Sequence, residues 1–326
     1  MDYLIFLVAA AAVVFSGIKL SQYGDIVAEI SGLGHSFVGI VLISFFTSLP
    51  ELISTIGAIT VVDSPNLAFG NVYGSNIFNM FVIFVLDAVF RKTDLYIRVS
   101  RSNVVAGLYA VIIMLITILA LTMDFPVILW INVISLVIFG TFLYSNYITY
   151  RSSDGSEEHE SSGENYDHVE RKSVFGLFFF FAFVIVVSGL VMSKSADSIA
   201  VSSGLGQSFV GSFMLAVVTS LPEMAACFAA LRIGAVNMAF GNLMGSNVFN
   251  MVILPFADLL YVKGDIYRHA EHVHIVSAFT ACIVTVIAIA GIVEIKTRFK
   301  FKGIAVHSYA ILGMYGIYTV YMYLAR

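Results

Sequence analysis

The chain has 326 residues, 59% of them hydrophobic and only 12% charged, with a mean hydropathy of +0.94. Soluble domains carry about 25% charged residues, so this composition excludes an ordinary cytosolic enzyme, a nucleic-acid binder and a disordered chain. Net charge is -4, from 17 Lys+Arg against 21 Asp+Glu, which leaves no basic surface for nucleic acid. The two cysteines, Cys227 and Cys282, sit in apolar runs. They read as small buried hydrophobes, with no disulfide framework or zinc site on offer.

A membrane span needs about 20 mostly apolar residues to cross roughly 30 Å of hydrocarbon. Ten runs qualify in chain order: 3–20, 36–61, 66–89, 102–122, 125–147, 173–192, 208–231, 237–261, 272–293 and 303–324. Only helices or closed barrels satisfy their backbone in lipid, and these runs are too long for barrel strands. The expected fold class is therefore an all-α membrane protein with ten transmembrane helices. Met1-Asp2-Tyr3 lacks the basic start of a signal peptide, so 3–20 counts as a span. With the N-terminus outside, thirteen of the 17 Lys and Arg fall on inner loops, so both termini are expected outside. The polar stretch from Tyr150 to Lys172 is rich in Ser, Gly and Glu and reads as a solvated cytoplasmic linker. It has no calcium-loop spacing and is too short for a folded domain.

The chain repeats itself. GHSFVGIVLISFFTSLPE (34–51) and GQSFVGSFMLAVVTSLPE (206–223) share ten of eighteen residues. NLAFGNVYGSNIFN (66–79) and NMAFGNLMGSNVFN (237–250) share ten of fourteen. Ser16-Gly17, Asp25 and SGLG (31–34) align with Ser188-Gly189, Asp197 and SGLG (203–206). The expected organisation is a five-helix repeat at 1–149, the linker at 150–172 and a second five-helix repeat at 173–326. Five is odd, so the second repeat enters the membrane from the opposite side, as in many secondary transporters, whose sites lie near mid-membrane where the repeats meet.

What the duplication keeps is polar. Thr47-Ser48-Leu49-Pro50-Glu51 and Thr219-Ser220-Leu221-Pro222-Glu223 each stand near the middle of an apolar span. A carboxylate there costs at least ~2.5–3.5 kcal/mol and is a functional candidate by default. Thr47 and Glu51 are i,i+4 and share a helix face. Pro50 and Pro222 lack an N–H and crowd the carbonyls of Phe46 and Val218, so the helical ladder breaks beside each carboxylate. Ser75 and Asn79, like Ser246 and Asn250, are also i,i+4. Gly70/Gly74 and Gly241/Gly245 are spaced as G-x-x-x-G, which permits close helix approach. Asn71 and Asn242 read either as interhelix hydrogen-bond glue or as ligands. Together these residues offer carboxylates, hydroxyls and amide oxygens, the donor set of hard cations. Two negative charges balance one divalent ion or two monovalent ions, which is the physical basis of exchange. Asp87 and Asp258, near span ends, read as caps or interface anchors, and Asp25 and Asp197 as shaping an access route. His269, Glu271, His272 and His274 read as a plain loop, and Trp130 as an interface anchor.

TSLPE paired with GSN-x-FN, twice and in inverted repeats, resembles the two alpha-repeats of the cation/calcium exchanger superfamily, with the sodium/calcium exchangers as the nearest likeness. The resemblance implies antiport by alternating access, calcium moving one way and sodium the other. It implies that Glu51 and Glu223 are shared central ligands and that Thr47 and Thr219 add oxygens to the calcium site. Ser48, Ser75, Ser220 and Ser246 would complete flanking sodium sites, and Asn79 and Asn250 would close the centre. The first and sixth spans resemble the pair that slides across the other eight. Three departures stand out. Phe46 and Val218 occupy a place where the family usually has a small residue. Asparagine at 250, where some members carry aspartate, argues against potassium co-transport. The wording Ser-Leu-Pro-Glu favours sodium over protons.

The sequence thus points to a sodium-for-calcium antiporter in a plasma or inner membrane, with proton-coupled calcium or other divalent exchange as the alternative. Calcium and sodium are cargo, and no catalytic cofactor is expected. The lipid bilayer is the one expected partner, and a monomer suffices. Neither Gly-x-Gly-Asp nor His-Glu-x-x-His stands in any span, so an intramembrane hydrolase is disfavoured.

Overall fold

Apolar runs of this length fold as helices because lipid offers the backbone no partner, so every N–H must find a carbonyl within its own segment. The computed structural model describes residues 2–31, 33–153, 171–201, 210–294 and 299–325. A long first helix, α1 (Asp2–Ser31), precedes a broken second segment. That segment is a single turn at His35–Phe37, a π-helical stretch at Val38–Ile43, α2 (Ser44–Thr47) and α3 (Leu49–Thr60). Helices α4 (Pro65–Val89), α5 (Arg101–Thr122) and α6 (Val133–Ser153) follow. The plan then recurs: α7 (Arg171–Val201), a π-helical stretch at Val210–Leu215, α8 (Ala216–Thr219), α9 (Leu221–Arg232), α10 (Val236–Leu260), α11 (Val273–Val293) and α12 (Val306–Leu324).

Among the described residues, eight helical segments are long and apolar enough to cross a membrane. A ninth is the pair Phe213–Thr219 and Leu221–Arg232, bent by 41°. The expected tenth span, 303–324, is helical over Val306–Leu324, but five tyrosines and His307 dilute its apolar content. Two expected spans begin later than the hydrophobic run suggests. Residues 127–132 and 300–305 each form a two-stranded hairpin before the helix starts, pairing Val127 with Asn132 and Lys300 with Ala305. Their turns use left-handed residues, Leu129 in one and Lys302-Gly303 in the other. Conversely, α1 and α7 run on past the expected ends at 20 and 192 to Ser31 and Val201. The linker residues 154–170 and the SGLG at 203–206 lie outside the described residues, as does the side chain of Asp197.

Helices α4 and α10 form the buried axis. Every residue from Leu67 to Met80 and from Val236 to Pro255 is buried. Glycine permits the closest approaches. A Cβ on Gly245 would lie 2.1 Å from the Ile40 carbonyl oxygen, and one on Gly241 2.9 Å from that of Ser36. One on Gly39 would meet the Met238 carbonyl at 2.5 Å. The π-helical stretch 38–43 therefore lies backbone to backbone against α10, as the G-x-x-x-G spacing implies. Helix α1 packs along α7, with Tyr23 stacked on Phe181 at 5.7 Å. Their corresponding glycines each face the other repeat's broken segment: Gly17 against Ala225 and Pro222, Gly189 against Pro50.

Asp87 and Asp258 cap helices, crosswise. Asp87, late in α4, accepts from Ala305 N (2.8 Å) and Ser308 Oγ (2.7 Å) at the start of α12. Asp258, late in α10, accepts from Asn132 N (2.8 Å) and Ser135 Oγ (2.7 Å) at the start of α6. A carboxylate at a helix N-terminus satisfies free N–H groups and complements the dipole. Asp25 instead pairs with His35, Oδ1 to Nε2, at 2.9 Å.

Gly245→Val places a branched side chain against backbone that cannot yield, and is expected to destabilise by about 1–3 kcal/mol or more. Gly57→Ala is the control, because nothing lies within 4 Å of its Cβ position and alanine favours helix. Thermal unfolding in detergent should show a lowered midpoint for the first and an unchanged or raised midpoint for the second.

Candidate ion-binding site

Each broken segment turns at one residue. Ser48 sits at φ -90°, ψ 4° and Ser220 at φ -88°, ψ 6°, between the short helix that ends at threonine and the helix that begins with Leu-Pro. This is the sparsely populated bridge region, common at functional sites. The proline falls in the first turn of the new helix, where a missing N–H costs nothing. Glu51 and Glu223 thereby stand in the first turns of α3 and α9, where unpaired N–H groups and the helix dipole favour negative charge. The π-helical stretches just upstream belong to a class of distortion frequent at functional sites. Phe46 does not obstruct the break. It packs outward on Phe45, Phe178 and Phe179, and Val218 packs near Ala9, Val13 and Met192.

All ten sequence-predicted residues are fully buried: Thr47, Ser48, Glu51, Ser75, Asn79, Thr219, Ser220, Glu223, Ser246 and Asn250. Their hydrogen bonds cross between the repeats. Ser48 Oγ donates to Glu223 Oε1 at 2.8 Å, and Ser220 Oγ donates to Glu51 Oε1 at 3.0 Å. Ser246 Oγ lies 3.4 Å from the same Glu223 oxygen, whereas Ser75 Oγ lies 3.5 Å from Thr219 Oγ1 and from the Ala216 carbonyl.

Four asparagines brace α4 against α10. Asn79 Nδ2 donates to Asn247 Oδ1 (3.1 Å), and Asn250 Nδ2 to Asn76 Oδ1 (3.0 Å). Asn76 and Asn247 exchange amide-to-carbonyl bonds at 3.5 and 3.2 Å. With their amide nitrogens so used, Asn79 and Asn250 are left with Oδ1 buried and unbonded among the described residues, as are Glu51 Oε2 and Glu223 Oε2. These are four orphaned acceptors, two from each repeat and equivalent in sequence. A buried acceptor without a donor costs about 1–3 kcal/mol, more when charged. Among the described residues no three His, Cys, Asp or Glu side chains cluster, so the donors are two carboxylates plus neutral oxygens. That set suits calcium or sodium rather than a soft transition metal. His269 and Glu271 make separate local contacts, with the Asp265 carbonyl and Asn66.

Asn76 and Asn247 join this brace although the i,i+4 spacing does not mark them. The available signal was their own duplication in GSN, where an amide repeated at mid-span stands out as strongly as a carboxylate.

A helical membrane protein whose two broken helices meet around buried, unsatisfied oxygens falls in the class of secondary ion transporters. The family described as Sodium/calcium exchanger protein matches residues 1–148 and 173–324, and the chain belongs to it. Its relatives include Inner membrane protein YrbG of Escherichia coli K12, 25% identical over 287 residues and 80% of each chain. Sodium/calcium exchanger MaX1 of Methanosarcina acetivorans is 24% identical over 294 residues, 80% of this chain and 83% of its own. In fold the chain is similar to the sodium-calcium exchanger NCX_Mj soaked with sodium and strontium. The TM-score is 0.69 at 18% identity, over 97% of this chain and 96% of that one.

Asn76→Ala removes the acceptor for Asn250 and one bond to the Asn247 backbone. It is expected to destabilise the α4–α10 contact by about 1–3 kcal/mol, read as a lowered thermal midpoint in detergent.

Proposed function

We propose that this protein is a sodium-coupled calcium antiporter working by alternating access. The observation that carries the reading is the set of four orphaned oxygens at Glu51, Glu223, Asn79 and Asn250. Thr47, Thr219, Ser48, Ser220, Ser75 and Ser246 supply further oxygens beside them. Calcium takes six to eight oxygen ligands. Two carboxylates neutralise one calcium or two sodium ions, so the same chamber accepts either load. Empty, it holds two unpaired buried charges, and that cost opposes crossing without cargo. Calcium and sodium are substrates here.

In this reading the chain spans the membrane ten times, as inverted repeats 1–149 and 173–326 joined by a cytoplasmic linker at 150–172. Both termini lie outside a plasma or inner membrane. The name of the YrbG relative, an inner membrane protein, and that of MaX1, a sodium/calcium exchanger, support it. So do two corresponding crevices. One, of about 430 Å³, lies between Ile53, Gly57, Val61, Leu190 and Lys194. The other, of about 320 Å³, lies between Ala225, Ala229, Ile233, Ile18 and Gln22. Each runs between a broken segment and α1 or α7, and inverted repeats make them open on opposite faces. Movement of the α1–α7 pair would close one and widen the other.

In proteoliposomes, calcium uptake should follow an imposed outward sodium gradient. Uptake indifferent to sodium overturns the reading, and uptake that follows pH instead establishes proton coupling. Glu51→Gln and Glu223→Gln should each nearly abolish calcium flux while leaving a folded protein by size exclusion. Wild-type flux from either removes that residue from the site.

Calcium should also raise the melting temperature by mass action, about 2.7 kcal/mol of stabilisation at a hundredfold excess over Kd, and chelation should reverse it. The shift should vanish in Glu51→Gln. A calcium shift surviving in that variant places the ion elsewhere.

A further inference from the structure

Each of the two crevices beside the broken segments carries a basic side chain. We propose that Lys194 and Arg232 are specificity-determining residues, fixed positive charges that bias the two ion routes toward monovalent over divalent cations. This deepens the antiport reading and rests on it.

The apolar walls of the crevices correspond across the duplication. Gly57 and Leu190 in one answer to Ala229 and Ile18 in the other. Their charges do not correspond. Lys194 stands on α7 in the first crevice, and its equivalent in the second is Gln22. Arg232 ends α9 in the second crevice, and its equivalent in the first repeat is Thr60. Each base thus comes from a position that is neutral in the other repeat, so duplication alone explains neither. Among the described residues lining either crevice there is no aspartate or glutamate.

Neither charge is neutralised. On the face read as outer, Lys263 pairs with Asp63, and Arg268 with Asp124 at 3.1 Å and Asp265 at 3.5 Å. Lys194 and Arg232 are exposed and have no acid partner among the described residues. Both are fully protonated at neutral pH. Lys19 Nζ donates to Gln22 Oε1 at 3.2 Å, which adds positive charge at the rim of the crevice that holds Arg232. Lys194 lies five residues, about 7.5 Å of helical rise, beyond Gly189, which packs on Pro50 beside Glu51. Arg232 lies nine residues, about 13.5 Å of rise, beyond Glu223 on α9. The screening length at physiological salt is about 8 Å, and apolar walls screen less than water. Both charges therefore act on the route, and Lys194 acts nearly to its inner end.

The energy of an ion in a fixed potential scales with its charge. A base that lowers the local sodium concentration by some factor lowers that of calcium by the square of the factor. Two carboxylates alone favour the divalent ion for the same reason. The bases oppose that preference along the route, so sodium competes with calcium for a doubly acidic site.

The test measures half-saturating calcium and sodium for exchange in right-side-out and in inverted membrane vesicles holding the full-length protein. Lys194→Gln should lower half-saturating calcium about fourfold and sodium about twofold, its square root, at one face only and with little change in kcat. Arg232→Gln should act in the same direction, and less strongly, at the opposite face. Lys194→Arg and Arg232→Lys keep the charge and should match the wild type. The differences should shrink as choline chloride raises the ionic strength. No change, equal factors for the two ions, effects on both faces, or a loss that Lys194→Arg shares overturns the proposal, since a residue that only packs or anchors its helix behaves in those ways. If Lys194→Gln does not fold, Lys194→Met takes its place under the same criteria. The sodium dependence of wild-type calcium flux reads the antiport proposal separately. If that flux ignores sodium, the face, charge and salt criteria are applied to calcium alone and decide whether the bases repel it. A wild type that moves no calcium overturns both proposals.

Discussion

Two carboxylates without a counter-charge among the described residues, enclosed in the interior of a membrane protein, set the terms for the rest of the structure. Burying such groups is costly, and the fold meets the cost only in part. One oxygen of each carboxylate accepts from a serine of the opposite repeat, while the other has no donor. The helix breaks at Ser48 and Ser220 put each glutamate in a first helical turn, where the dipole favours its charge. Glycines let the backbones of the second segment and α10 touch. What remains unsatisfied is one oxygen on each glutamate and one on each of Asn79 and Asn250.

The two repeats are alike without being equal. Thr55 and Cys227 correspond, so Asn71 leans on a hydroxyl and Asn242 on a sulfur, a weaker acceptor. Ser246 reaches Glu223, but Ser75 reaches Thr219 instead of Glu51. Phe46 packs on a group of phenylalanines, whereas Val218 sits in a mixed cluster with Phe6, Ala9, Val13 and Met192. A site read equally from both faces would be symmetric.

Much of this was legible in the sequence because the informative residues break a rule. Glutamate, threonine and asparagine at mid-span stand out against lipid-compatible neighbours, and their recurrence about 172 residues later marks them twice. The ten residues so chosen are all buried together. Other features left no such mark. The π-helical stretches depend on how a segment packs, and Val38–Ile43 reads as ordinary apolar helix. The hairpins at 127–132 and 300–305 are hidden inside hydrophobic runs, since a count of apolar residues cannot see a left-handed Leu129 or Lys302. The brace among Asn76, Asn79, Asn247 and Asn250 is a matter of which amide faces which carbonyl. Only the packing of α4 on α10 decides it.

The crosswise caps bear on how the chain is made. Asp87 is synthesised long before Ala305 and Ser308, and Asn132 and Ser135 long before Asp258. A ribosome that has delivered only the first repeat has therefore made an aspartate whose helix does not yet exist and a helix whose aspartate does not yet exist. Both remain open until translation nears its end. Each cap therefore closes only after the later of its two partners has been made, and a chain truncated before α12 leaves Asp87 without its donors.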